Sequence, residues 1–451
     1  MKGKIEINMP KDVSYIIDTL NNRGFKAYIV GGCIRDAILG KVPADWDVAT
    51  DAQPEDVKLI FDKIVETGIK HGTVTAVING CNYEITTFRA PSSAKIPTIK
   101  DDLGLRDFTI NAMAYHPEEG IIDPFLGMQD MEKSVIRAVG SPEDRFHEDP
   151  LRMLRAVRLS STLGFEIDRS VLSAIKENCK LIEKVSPERI RDELSKILIS
   201  DRPKNFLVLR ETGLLKYVLP EFDICFDTGQ NHPYHVYNVG MHTLETVSNI
   251  ESNLVLRWTM LLHDIGKPVV KTTDQNGTDH FYGHPEESVN IADKIMKRLR
   301  FDNKTTNKVL RLIKHHDRRI EPNQKSVRKA VSIIGKDIFP DLLKVQEADK
   351  KGQNPQYLDE RLKVLDEIKD IFFNLEKEGQ ILNLKDLALN GNDLLAMGFE
   401  QSREIGIILR ELYNIVLDNP EMNTKEKLTE IVENIRKKVL KHRKISSEVY
   451  S

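Results

Sequence analysis

Apolar positions in the first 140 residues change period repeatedly. Ile16 and Leu20 fall at helical spacing, Ala27 to Val30 form a short apolar run, and a helical pattern returns over Arg35 to Leu39. Strand patterns follow at Trp46 to Ala49, Thr73 to Ile78 and Tyr83 to Arg89. The alternation predicts an α/β head beginning near Lys11. Beyond Pro142 the strand signals fade: Leu151, Leu154, Val157 and Leu159 recur at helical spacing, and Ser186-Pro187-Glu188 reads as a helix start. Polar, turn-rich stretches at Asp227 to Pro233 and around Lys350 to Pro355 mark boundaries. The pattern divides the chain into a head (1–140), a helical neck and body (141–228), a central segment (229–352) and a helical C-terminal body and tail (353–451), with no internal repeat.

The first chemistry lies where the Ala27 to Val30 strand ends. Gly31 and Gly32 let backbone N–H groups approach a triphosphate closely, and the helix expected near Ile34, carrying Arg35, adds its positive end. Asp45-Trp46-Asp47 follows after one connection. Side chains two apart on a strand share a face, so Asp45 and Asp47 are placed to hold one Mg²⁺, with Trp46 turned toward the packing side. Glu84, on a later strand, is a candidate third carboxylate or simply an exposed strand acid. Glycine turn and aspartate pair in this order favour metal-assisted nucleotidyl transfer.

Composition narrows the setting. With 451 residues, 40% hydrophobic and 30% charged, the chain reads as a multidomain globular protein rich in amphipathic helices. A formal net charge of -3 excludes a uniformly basic nucleic-acid binder but not local basic stripes. Cys33, Cys81, Cys179 and Cys225 form no Cys-x-x-Cys pair, which fits a reducing cytoplasm. The N-terminus lacks an apolar signal core, and no stretch approaches the roughly 20 apolar residues of a membrane span, so neither export nor a membrane partner is expected.

Two further segments add nucleotide chemistry. Arg106-Asp107-Phe108-Thr109-Ile110-Asn111 offers a guanidinium for phosphate and polar groups for ribose hydroxyls. In Glu148-Asp149-Pro150-Leu151-Arg152 the proline suits a helix first turn, and Asp149 and Arg152 stand three apart on one face. A carboxylate acceptor beside a guanidinium donor matches the amino donor and ring-nitrogen acceptor shared by cytosine and adenine, and refuses uracil and guanine.

With GGCIRD, DWDVAT, FTINAMAY, IIDPFLG, EDPLRMLRAVRL and SPERIRDEL all present, the chain resembles the bacterial class II tRNA nucleotidyltransferases, the CCA-adding enzymes related to poly(A) polymerases. The resemblance implies an α/β nucleotidyltransferase head with a mixed sheet and helices, followed by an all-α neck, body and tail. It implies template-independent addition of C and A to tRNA 3′ ends from CTP and ATP. Asp149 and Arg152 would act as the amino-acid template, Arg106, Asp107 and Asn111 would hold the nucleotide, and Arg155 and Arg158 would lie near the triphosphate. Two departures stand out: Leu105 replaces an arginine, and the segment from Ala90 to Gly104 is shorter than the family's flexible loop. In related enzymes a short loop accompanies CC addition alone. CC-only addition, poly(A) synthesis, and a hydrolase whose head merely binds RNA or nucleotide are the alternatives.

His242, His263-Asp264 and Asp349 form the series His, His-Asp, Asp, a donor set for a first-row divalent transition metal. The series resembles the HD phosphohydrolases, which implies an all-α HD domain over 229–352 acting on cyclic phosphates or phosphoesters at RNA ends. His284, His315 and His316 are additional imidazoles, and Lys267 is placed to screen a phosphoryl oxygen. For the tRNA acceptor arm the candidate grips are Arg436 to Lys438 with Lys441, Arg443 and Lys444, and separately Lys294, Lys297, Arg298 and Arg300. DNA is not an expected partner. The sequence leaves the oligomeric state open.

Overall fold

The structure, a computed structural model, describes residues 6–66, 72–90, 96–380 and 383–448, with residues 437–448 described by backbone alone. The chain divides into two compact units, one of residues 1–223 with 298–300 and one of residues 224–297 with 301–451.

The first unit opens on helix α1 (Lys11–Asn22), which buries Val13, Ile16, Ile17 and Leu20 along one stripe. Strand β1 (Ala27–Val30) follows, then helix α2 (Gly32–Ile38) and strand β2 (Asp47–Thr50). Helix α3 (Pro54–Ile60) leads to β3 (Ile64–Val65), β4 (Thr73–Ile78) and β5 (Cys81–Thr87). After helix α4 (Ile99–Gly104) come β6 (Ala114–His116) and β7 (Gly120–Ile122), a hairpin that the periodicity did not announce. Three-residue strands are too short to display alternation. The seven strands form one mixed sheet in the order β3-β4-β5-β2-β1-β6-β7. All four residues of β1 are buried, as expected of a central strand covered on both faces. Tyr28, Val30, Ala49, Phe88, Leu103, Ala112, Ala114 and Val139 make one core cluster, with Ile99, Ile122 and Phe125 packed against it.

Register makes the site. β1 and β2 are antiparallel with Val30 opposite Asp47, so the glycine turn that leaves β1 sits beside the aspartate that opens β2. β2 and β5 are parallel with Val48 beside Ile85, which sets Glu84 next to Asp47. The expected strand from Trp46 begins instead at Asp47, so Asp45 lies in the extended approach rather than on a shared strand face.

Helices α5 (Gly127–Glu132), α6 (Pro142–Glu148), α7 (Leu151–Leu163), α8 (Arg169–Asn178) and α9 (Pro187–Leu198) complete the part of this unit that bears on the site. Ser141 caps α6, accepting a hydrogen bond from Asp144 N, with Pro142 in its first turn. Asp149 is extended, with φ -145°, so α6 ends there and Asp149 does not share a helical face with Arg152, which belongs to α7. Helix α7 buries Leu151, Leu154, Val157 and Leu159, the apolar periodicity seen in the sequence.

The second unit is almost wholly helical, apart from a small hairpin of Thr272–Thr273 with Asp279–His280. Its C-terminal part has a core cluster that includes Leu389, Leu412, Val416, Leu428 and Val432. Among the described residues no helix is long and apolar enough to cross a membrane.

Candidate active site and metal centre

A cavity of about 420 Å³ in the first unit is lined by Gly32, Arg35, Asp36, Asp45, Asp47, Arg89, Arg106, Asp107, Asn111, Asp149, Arg152, Arg155 and Arg158, together with Cys33, Ala44 and Leu105. The sheet register, α2 and α7 thus bring together residues that sequence reading had named at five separate places. Gly31 stands just behind, at φ +87°, in the left-handed region that glycine tolerates. A Cβ built there would lie 2.6 Å from Arg106 Nη1 and 3.7 Å from Asp47 Oδ2. The first position must therefore be glycine for both conformational and steric reasons.

Within the cavity the charges are arranged, not scattered. Arg35 Nη1 donates to Asn111 Oδ1 at 2.5 Å, Asn111 Nδ2 donates to Asp107 Oδ1 at 3.1 Å, and Arg155 Nε donates to Asp107 Oδ2 at 2.8 Å. Burial pushes the Asp107 carboxyl up, but Arg155's charge, the Asn111 and Arg155 hydrogen bonds and the Phe108 N–H outweigh it and hold Asp107 down at about 2. Asp107 in turn raises Arg155, against the cost of burying that guanidinium. Arg106 reaches Asp102 at 3.3 Å, and Arg89 reaches the same carboxylate at 2.8 Å.

Asp47 behaves differently. Burial raises its carboxyl; Arg106 works against this, and the charges of Glu84 and Asp45 add to it. Negative charge at this corner is incompletely compensated by the protein, and the donors are all oxygen. Both facts fit a hard divalent cation such as Mg²⁺ on Asp45 and Asp47, with Glu84 alongside.

At the α6–α7 junction Asp149 and Arg152 do not pair with each other. Arg152 donates to Glu148 Oε2 and to Leu105 O, both at 2.8 Å, and Arg189 of α9 meets Asp149 Oδ2 at 2.7 Å. Each side chain is thus held by a third group and points into the cavity independently. Arg158 lines the cavity but gives its Nε to Glu193 at 2.7 Å. Neither partner was foreseen: Glu193 lies within SPERIRDEL and Asp102 within the Ala90 to Gly104 segment, but nothing in either marks the acid that orients an arginine.

The second unit gathers His242, His263, Asp264, His284, His316 and Asp349. His242 rides on helix Val239–Ser248, His263 follows helix Leu254–Leu262, His284 opens helix His284–Arg298, His316 caps helix Asn303–His315, and Asp349 lies on helix Phe339–Lys351. His242 Nε2 is 3.0 Å from Asp349 Oδ1 and 3.4 Å from Asp264 Oδ2, and His263 Nε2 is 3.3 Å from Asp264 Oδ2. On the other side of the same carboxylate, Asp264 Oδ1 is 3.4 Å from His284 Nε2 and 3.6 Å from His316 Nε2. All four imidazoles turn Nδ1 toward a backbone carbonyl: Gly352 O at 3.0 Å, Met260 O at 2.7 Å, Phe281 O at 2.9 Å and Ile313 O at 2.7 Å. A carbonyl only accepts, so each Nδ1 carries a proton and Nε2 is the nitrogen left for a metal to take.

The donors form two overlapping sets, His242-His263-Asp264 and Asp264-His284-His316, within ligand distance of a metal. Burial would raise both carboxylates, yet His263 and Lys267 hold Asp264, and His242 and His263 hold Asp349, well below the ordinary range. Protons drawn onto His242 and His263 are those a bound cation would displace. His263 Nε2 is buried without a hydrogen bond. The site fits a divalent transition metal. Asp349 stands outside both sets but against them, 3.0 Å from His242, whereas His315 takes no part, because one residue along a helix turns the side chain by about 100° from His316. Sequence reading also missed Gln353, whose Nε2 donates to Asp349 Oδ2 at 2.9 Å, and His235, whose ring lies 5.3 Å from that of His242.

Of the basic stripes, Lys437, Lys438, Lys441, Arg443 and Lys444 have side chains outside the described residues. Arg436 donates to Met397 O at 2.9 Å, Lys297 pairs with Asp293 at 2.7 Å, Arg298 with Glu221 at 2.7 Å and Arg300 with Glu188 at 2.9 Å.

Comparison with known proteins gives the poly(A) polymerase head domain over residues 27–137, a segment described as "Probable RNA and SrmB- binding site of polymerase A" over 164–225, and an HD domain over 230–367. In these three domains the chain is similar to the class II tRNA nucleotidyltransferases and poly(A) polymerases. The CCA-adding enzyme of Limosilactobacillus reuteri is 45% identical over 216 residues, 45% of this chain and 53% of that protein. That of Lactiplantibacillus plantarum is 46% identical over 214 residues, with the same coverage. The chain thus spans about half the length of these family relatives. A Bacillus stearothermophilus CCA-adding enzyme solved in complex with CTP superposes with a TM-score of 0.73 at 27% identity, over 96% of this chain and 100% of that one. A Thermotoga maritima CCA-adding enzyme complexed with tRNA shares the fold, with a TM-score of 0.60 at 21% identity, over 95% and 97% of the two chains. Family relatives of this kind do not favour the CC-only, poly(A) or hydrolase-only alternatives. Residues 91–95 of the shortened loop lie outside the described residues.

Two predictions follow from the cavity. Gly31→Ala forces a Cβ onto Arg106 in a left-handed backbone position and is expected to weaken nucleoside triphosphate binding about tenfold or more by calorimetry; wild-type affinity would contradict this. Asp107 is depressed to about 2 from an ordinary 3.8, so its contribution is present above 3.8 and lost as pH falls through about 2. That contribution is roughly 2 kcal/mol. Urea denaturation across this range should show the acid loss in wild type and a flatter profile in Asp107→Asn.

Proposed function

We propose that this chain adds cytidine and adenosine to the 3′ ends of tRNA without a nucleic-acid template, from CTP and ATP with Mg²⁺, in the cytoplasm. The observation that carries the proposal is the single cavity in which two acidic metal positions, an arginine-rich wall and the Asp149/Arg152 pair face one another. We assign residues 1–140 to the transferase head, 141–228 to the neck, 229–352 to the HD domain and 353–451 to a tRNA-gripping body.

Asp45 and Asp47 would hold Mg²⁺, with Glu84 beside them; the ion supplies charge neutralisation at the α-phosphate and acidifies the attacking hydroxyl when bound. The glycine turn with Gly31 and Gly32 opens backbone room for the phosphates, and Arg35, Arg155 and Arg158 line the same wall. Arg106 stands between Asp47 and Asp102, placed to meet a phosphate oxygen. Asn111 keeps a spare Nδ2 hydrogen and a spare Oδ1 lone pair for a ribose, and Asp107, its acceptor positions taken by Asn111, Arg155 and Phe108 N, holds it in place. Asp149 accepts from the exocyclic amino group and Arg152 donates to the ring nitrogen of C or A. Glu148 and Leu105 O hold Arg152 in place, so base choice depends on fixed side chains. The deprotonated terminal hydroxyl attacks the α-phosphorus and pyrophosphate leaves.

The second centre supports a separate reading, carried by the shared Asp264. We propose that His242, His263, Asp264 and Asp349, with His284 and His316, hold a divalent transition metal and hydrolyse phosphoesters at RNA ends. Gln353 and the four carbonyl-bound Nδ1 atoms orient the ligands.

Purified protein given tRNA lacking its 3′ end should yield a product three nucleotides longer with CTP, ATP and Mg²⁺, and two longer with CTP alone, read at single-nucleotide resolution. Asp45→Ala with Asp47→Ala should lower the rate on the order of a thousandfold. A long adenosine ladder, or no extension, would overturn the assignment. For the second centre, His263→Ala should remove transition-metal binding and phosphodiester hydrolysis while CCA addition continues; metal content by mass spectrometry and retained hydrolysis are the checks.

A further inference from the structure

Residues 229–238 form a strap pinned at several points within the second unit. Lys271 Nζ donates to Gly229 O at 2.8 Å, Asn231 N donates to Asp279 Oδ2 at 2.8 Å, and the Asn231 amide donates to Gly277 O at 2.6 Å. Farther along, Asn354 N donates to Tyr234 O and Asn354 Nδ2 to Pro233 O, both at 2.9 Å, while the Arg361 guanidinium lies 5.2 Å over the Tyr234 ring. Gln230 ties the strap to the centre itself. Its Oε1 accepts from Lys267 Nζ at 2.8 Å, its Nε2 donates to Tyr237 O at 3.2 Å, and Lys267 is the ammonium 2.7 Å from Asp264.

This strap carries His235. Its ring meets His242 edge-on, with centroids 5.3 Å apart and planes at 87°. Its Nδ1 is buried and has no hydrogen-bond partner among the described residues. The charged groups that act on it are Lys267, His242, Asp264 and Asp349, the metal-ligand cluster and the cation beside it. His235 nonetheless belongs to neither three-ligand set. A buried imidazole nitrogen left unpartnered is costly, and so many ties are not needed to hide one ring. With the proton on Nδ1 the missing partner would be an acceptor brought by a ligand, and next to Lys267 and a bound cation an anionic oxygen fits that place.

We propose that His235 is the phosphoryl contact of the second centre: its Nδ1–H donates to a non-bridging oxygen of a phosphate monoester or diester held there. The inference rests on the phosphohydrolase reading of that centre but concerns binding, so the two separate experimentally.

The test uses the full chain loaded with Co²⁺, whose visible absorption reports an imidazole-ligated ion, titrated with inorganic phosphate. His235→Ala should weaken phosphate about tenfold or more, with Co²⁺ stoichiometry unchanged. His235→Asn, whose amide falls near Nδ1, should stay within about threefold of wild type, while His235→Gln, which mimics Nε2, should resemble alanine. Unchanged phosphate affinity in His235→Ala, loss of Co²⁺ with the ring, or a Co²⁺-loaded wild type that takes up no phosphate would each overturn the proposal. Phosphate binding that depends on His235 without hydrolysis of bis(p-nitrophenyl) phosphate would remove the hydrolase reading and leave this one standing. Hydrolysis indifferent to His235→Ala would do the reverse.

Discussion

The buried carboxylate of Asp107 is the constraint on which the cavity of the first unit depends. It lies in the turn before β6, yet it fixes Arg155 on α7 directly and Arg35 on α2 through Asn111. Three segments far apart in sequence are thereby locked at one point by charge-assisted hydrogen bonds. Burial alone would favour a protonated Asp107; the surrounding donors reverse that, which means the network holds together only as a set. Remove the carboxylate and the two guanidiniums facing the cavity lose their common anchor. The same logic separates structural from reactive acids here. Asp107 and Asp102 are compensated by arginines, whereas Asp47, raised by burial and by neighbouring acids, lacks such compensation within the protein and gains from a cation.

Much of this was legible in the sequence because catalysis needs residue types that also punctuate structure. Glycines at a strand end, an aspartate opening the next strand and a proline opening a helix declare themselves locally. The β1 strand was read at its observed limits, and the residues of Gly32, Arg35, Asp45, Asp47 and Arg106 converge on one cavity. What remained hidden is what only the register decides. Glu84 lies beside Asp47 because β2 and β5 run parallel with Val48 next to Ile85, a pairing across more than thirty residues that no local pattern encodes. Asp149 and Arg152 looked like one helical face, but the proline that starts α7 also ends α6, and the preceding residue becomes extended. Glu193 and Gln353 were silent because a partner that only orients another side chain has no composition of its own.

In the helical unit the ordered His, His-Asp, Asp series was sufficient to name side chains that the fold brings together, since few other arrangements space imidazoles and carboxylates that way. It was insufficient to rank His315 against His316. Adjacent histidines at a helix end differ by about 100° in direction, and only the helix's packing chooses which one faces Asp264. Nor did anything mark His235, two residues past the polar, turn-rich stretch Asp227 to Pro233 read as a boundary. A boundary by composition here is a strap by hydrogen bonding, tied down by side chains from 271, 354 and 361.

Two donor clusters in one chain raise the question of which ion each would select, and the donor atoms answer it. The Asp45 and Asp47 corner offers carboxylate oxygens alone, a hard set that suits Mg²⁺ and leaves room for water and phosphate oxygens. The other centre offers four imidazoles whose proton-bearing nitrogens are committed to carbonyls, a set that favours later first-row metals. Softer ions gain little from Asp45 and Asp47, and Mg²⁺, reluctant to shed water, gains little from buried nitrogen. Ion selection therefore needs no gate between the sites; it follows from which residue types the two folds place at their centres.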